Sequence, residues 1–131
     1  MECRLSSAPA PDTPWSCQIS IRWEFDEAGR PLDNVREDKF GPKLTDKTEV
    51  EVMLRRAQAA VLSPSIPSEH FVRADLAALV DGRGGLLGGR TVGGFGTLLF
   101  SKNVIVVDVV GPELVDLSFV DLPGKCLVGL Y

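Results

Sequence analysis

The chain has 131 residues, of which 44% are hydrophobic and 24% charged, a balance that suits one globular domain with a single core. Fourteen Lys and Arg are scattered among eighteen Asp and Glu, for a net charge of −4. The clustered positive charge that nucleic acid or an anionic membrane surface requires is therefore missing. Cys3, Cys17 and Cys126 form no C-x-x-C pair, and His70 is the only histidine. Neither a disulfide framework nor a zinc site is indicated, and reduced thiols in a cytoplasmic protein are expected. Met1-Glu2-Cys3-Arg4 leads into a polar, proline-rich stretch, unlike a signal peptide, and no window supplies the roughly 18 apolar residues of a membrane span.

Residues 1–14 contain Pro9, Pro11 and Pro14 among small polar residues and read as a flexible loop or leader. From Cys17 onward, Ile19, Ile21, Trp23 and Phe25 alternate with Gln18, Ser20, Arg22 and Glu24. That period of two predicts a strand with one face buried. Asp26 to Pro31 supplies turn chemistry. A helix is predicted from Asp46 as N-cap, with Glu49 completing a capping box. Val50, Met53, Leu54, Ala57 and Val61 form its apolar face, and Arg55 and Arg56 belong to its solvated one. Ser63-Pro64-Ser65-Ile66-Pro67 ends it. A second, weaker helix is expected from Ser68 through Phe71, Val72, Leu76 and Leu79 to Gly82. Eight glycines in residues 82–96 indicate a flexible insertion, with no G-x-G-x-x-G register and no glycine followed by Lys and Ser or Thr. Asn103 to Val110 reads as a buried strand. Gly111-Pro112-Glu113 reads as a turn, and Leu114 to Val120 as the return strand of an antiparallel hairpin.

Chemistry concentrates in Asp121-Leu122-Pro123-Gly124, directly after that strand. An Asp at the carboxyl end of a strand lies where open α/β sheets place ligands, and it can hold Mg²⁺ through water. A glycine three residues on lets the backbone approach a terminal phosphate and donate its N–H. Spacing alone also fits a plain turn. The D-x-x-G element of P-loop GTPases follows the same physical logic.

The surrounding segments extend the likeness. Leu117 to Gly124, Phe100-Ser101-Lys102-Asn103-Val104 and Gly111-Pro112-Glu113-Leu114 together resemble the G domain of fungal dynamin-like GTPases. Met1 to Leu5, Trp15 to Trp23, Lys39-Phe40-Gly41-Pro42 and Leu54 to Leu62 are similar to that group as well, in collinear order. The resemblance covers residues 1–124 and implies a P-loop α/β fold, here an incomplete one with a mixed sheet and one or two helices. It also implies GTP as ligand, Mg²⁺ as cofactor, and GTP hydrolysis linked to membrane remodelling. By the family pattern Asp121 orients the Mg²⁺-bound water, Gly124 senses the γ-phosphate, and Leu122 and Pro123 set the second switch region.

Departures from the pattern are plain. The 131 residues contain no G-x-x-x-x-G-K-S/T run and no base-recognition motif, residues 82–96 look like an addition, and residues 125–131 diverge. Impaired GTP binding is expected, as in a partial or decayed copy. The alternative is a non-catalytic module, or a defective fragment, that pairs with a full-length dynamin-like protein through an exposed sheet edge. Among single residues, His70 has no Ser or Cys at catalytic spacing and reads as structural or exposed. Asp108, inside an apolar run, should face solvent or take a hydrogen bond. Trp15 and Trp23 should pack against the sheet.

Overall fold

The computed structural model describes residues 1–75 and 101–120. Five strands, β1 (Glu2–Ser7), β2 (Ser16–Phe25), β3 (Pro31–Lys39), β4 (Val104–Gly111) and β5 (Leu117–Val120), form one mixed sheet in the order β3-β2-β4-β1-β5. Helix α1 (Val50–Leu62) packs on one face.

The alternation in β2 places Cys17, Ile19 and Ile21 at 0–1% exposure, with Trp23 at 9%. Antiparallel pairing sets Cys17 opposite Val109, Ile19 opposite Val107 and Ile21 opposite Ile105, so three cross-strand apolar pairs share the buried face. Met53, Ala57, Ala60 and Val61 of α1 join this core, and the alanines bring the helix backbone close to the sheet. Asp46 caps as expected, though its partner differs. Its carboxylate accepts from Thr48 N (2.9 Å) and Thr48 Oγ1 (2.7 Å), holding a 3-10 turn over Lys47–Glu49, and α1 proper starts at Val50 with no side-chain cap from Glu49.

The N-terminal residues depart from the expected loop: β1 lies inside the sheet. It runs parallel to β4 and antiparallel to β5. Cys3 and Leu5 share the core side of the sheet, while Glu2 and Arg4 face the other way, where neighbouring charges neutralise them. The prolines that dominated the sequence pattern all follow Ser7 and lie outside any strand.

β3 was also unforeseen. Of its nine residues only Leu32 is half-buried, and no hydrophobic period marks it. Its order comes from antiparallel pairing with β2 across the Asp26–Arg30 turn. There Asp26 Oδ1 accepts from Ala28 N and Arg30 N at 2.9 Å each, and Gly29 takes φ +79°.

The β4–β5 hairpin does not form. The turn is present, with Leu114 N donating to Gly111 O (3.3 Å). Both edges of β4 are already taken, by β2 and β1, so β5 passes β1 and pairs with its outer edge, from Leu117 instead of Leu114. Asp116 secures the crossing by accepting from Ser7 N (2.8 Å) and Ser7 Oγ (3.1 Å). In place of the second helix the described residues hold a 3-10 turn, Ser68–His70, and a following turn that buries Phe71. Residues 76–82 of that expected helix, and the glycine-rich 82–96, lie outside the described residues.

Candidate functional site

Asp121, Leu122, Pro123 and Gly124, the expected GTP and Mg²⁺ element, lie outside the described residues. Their approach is defined. β5 ends at Val120, which pairs with Glu2, the first residue of β1. The carboxyl-end rule for ligand sites holds for parallel strands. β5 has no parallel neighbour among the described strands, because its one partner, β1, is antiparallel. Among the described residues no group of three or more His, Cys, Asp or Glu could hold a metal ion.

What the structure does assemble beside the end of β5 is an ion-pair network on the sheet face opposite α1. Glu2 accepts from Arg4 Nε (2.8 Å) and Arg22 Nη1 (2.7 Å). Glu37 of β3 lies 3.3 Å from Arg4 and 3.2 Å from Arg22. Asp108 of β4 is 3.6 Å from Arg4. Asp108 thus faces away from the core, half exposed and paired, as its position in an apolar strand demanded. Hydrogen bonds from Arg22 and then Arg4 pull the Glu2 carboxyl down to about 2, from an ordinary 4.5. The two guanidinium groups are in turn raised by the same carboxylates, Glu2 first. Three carboxylates around two guanidiniums leave no spare cation for a phosphate, so this cluster fastens four strands together and does not bind anions. It was not among the sites expected from the sequence. Its signal was a period-two alternation of charge, Glu2 and Arg4 in β1, Arg22 and Glu24 in β2, Glu37 and Lys39 in β3.

The remaining candidates have structural roles. Asn103, within the Phe100–Val104 segment, ties the start of β4 to the end of β2. Its Oδ1 accepts from Glu24 N (2.7 Å) and Phe25 N (2.9 Å), and its Nδ2 donates to Phe25 O (3.2 Å). Arg56 is not part of a solvated face. It donates to Ala74 O (2.9 Å) and Val72 O (3.1 Å), pinning the segment after α1 onto the helix. Arg55 behaves as expected, pairing with Glu51 one turn earlier on the exposed side (2.7 Å). Trp23 belongs to the core and Trp15 packs against it, while His70 is exposed. Cys3 and Cys17 are free thiols. Burial raises both, Cys17 to about 11, which leaves them poorly nucleophilic.

No helix among the described residues is long and apolar enough to cross a membrane. Comparisons with protein-family models, with curated proteins and with solved structures found no match to this chain.

Proposed function

We propose that residues 1–124 are part of a dynamin-type GTPase domain, whose inherited function is GTP binding and hydrolysis linked to membrane remodelling. The observation that carries this reading is the continuity of β5 with Asp121-Leu122-Pro123-Gly124. A short strand ends at Val120 and the D-x-x-G run begins at the next residue. The mixed sheet, with β1 and β5 antiparallel beside a parallel β1–β4 pair, is compatible with it. In this reading Asp121 holds Mg²⁺ through water and Gly124 N–H donates to the terminal phosphate. The bound metal would supply charge neutralisation at the transferring phosphate.

No G-x-x-x-x-G-K-S/T run occurs in these 131 residues, so this polypeptide by itself should hold GTP only weakly, with a Kd above about 100 µM. Titration with a fluorescent GTP analogue, with and without Mg²⁺, tests that expectation. Micromolar, Mg²⁺-dependent binding would overturn it.

A second reading has its own support. β5 is an edge strand among the described strands, and Val115, Leu117, Phe119 and Val120 are 47–70% exposed. An apolar strand with one free edge is a template for strand addition. Here the chain would be a non-catalytic module, or a defective fragment, pairing through β5 with a full-length dynamin-like protein. Co-purification with such a protein regardless of nucleotide would support this. Loss of the complex on adding GTP or GDP would argue against it.

A further inference from the structure

A groove of about 430 Å³ opens between the β2–β3 turn and the segment that follows α1. We infer that it docks a short peptide segment of a partner protein in which basic residues alternate with aliphatic ones. The inference is independent of the GTPase reading, because none of the residues involved belongs to the D-x-x-G element.

Trp23, Phe25, Leu32 and Ile66 give the groove an apolar floor. Its rim is acidic: Asp26, Glu27, Asp38 and Glu69 line it, against Arg36 as the lining cation. Two of those carboxylates are already engaged, Asp26 with Arg30 and Asp38 with Arg36, each at 2.9 Å. The Glu27 and Glu69 side chains have no hydrogen-bond or ion-pair partner among the described residues and are exposed. Surface carboxylates beside apolar area favour an occupant that is cationic at its tips and aliphatic along its stems, which describes Lys and Arg side chains.

The chain's own cations occupy this region in the same manner. The Arg36 guanidinium lies 5.9 Å from the Trp23 ring centre, and Lys102 Nζ lies 5.3 Å from that of Phe25. Phe25, Asp26 and Glu27 also line an adjoining hollow of about 160 Å³, together with Lys102 and Asn103. Two hollows sharing one acidic wall suit an extended segment with side chains entering both, better than a single small cation.

Isothermal titration of the chain with a short, capped peptide of alternating leucine and arginine tests the proposal. A capped leucine–glutamate counterpart and free arginine serve as the other arms. Micromolar binding of the basic peptide is expected, weakened at least about fivefold by the Glu27→Gln/Glu69→Gln pair and by raised salt. Glu51→Gln, on the exposed side of α1, should leave it unchanged. Circular dichroism of each variant separates lost binding from lost folding. Four results would overturn the proposal. These are no heat up to about 1 mM peptide, equal affinity for the acidic peptide, an unchanged Kd in the folded double variant, or free arginine binding as tightly as the peptide.

Discussion

Two glycines with left-handed backbone allow strain to be separated from crowding. Gly41 has φ +73° and Gly29 has φ +79°. At Gly29 an added Cβ would meet nothing within 4 Å. Gly29→Ala should therefore lose only the conformational term, about 1 kcal/mol. At Gly41 the same Cβ would lie 3.1 Å from Met53 Sδ, 3.2 Å from Met53 Cε and 3.4 Å from Val72 Cγ1. Met53 is 6% exposed and packed into the core under α1, so its thioether can yield only by disturbing neighbours. A further 1–2 kcal/mol, roughly, is expected for that overpacking. The Gly41 carbonyl also accepts from Gln18 Nε2 (3.2 Å), which limits how far the backbone can withdraw. Gly41→Ala should thus cost about 2–3 kcal/mol in urea unfolding, with an unchanged m-value, against about 1 for Gly29→Ala. Thermal midpoints should fall in the same order, by roughly 3–5 °C per kcal/mol. A loss at Gly41 no greater than that at Gly29 would refute the close packing of Met53 against Gly41.

Other expectations follow from the network, the core and the sheet order. The depressed Glu2 carboxyl contributes stability that is fully present above its ordinary value of 4.5 and is lost as pH falls toward about 2. Glu2→Gln should accordingly cost roughly 1 kcal/mol at neutral pH and flatten the acid limb of stability in that window, as measured by urea unfolding at stepped pH. Ser63 is 1% exposed and its Oγ has no hydrogen-bond partner among the described residues, so Ser63→Ala should be neutral or stabilising by up to about 1 kcal/mol in the same assay. If β1 is an interior strand, amides of the Cys3–Ser6 segment should exchange as slowly as those of β4, whereas residues 9–14 exchange quickly. Fast exchange throughout residues 1–14 would restore the loop expected from the prolines.

The legible parts of the fold were those where one periodicity dominated. Cys17 to Trp23 announced a half-buried strand, and Met53, Leu54, Ala57 and Val61 announced the helix, because each element carries its own hydrophobic face. β1 and β3 were obscured for a shared reason. Their order rests on pairing with another strand, β1 with the distant β4 and β3 with its neighbour β2, and not on a hydrophobic period within the segment. The misplaced β4–β5 hairpin has the same origin. A short connection favours adjacent pairing, but once β1 fills the edge of β4 the next strand must pair beyond it. As for the candidate site, Asp121 to Gly124 was legible as a motif because Asp, Pro and Gly each carry a specific backbone or ligand role at that spacing. The groove beside Trp23 was not, since it joins residues of β2, β3 and the segment after α1 that share no sequence pattern.

The reading frame of the transcript ahead of Met1 tests the central claim, that this chain is part of a dynamin-type GTPase domain, most directly. The account predicts an in-frame G-x-x-x-x-G-K-S/T run there, the phosphate loop with which Asp121 and Gly124 would act. A frame that stays open well ahead of Met1 without encoding such a run would contradict it.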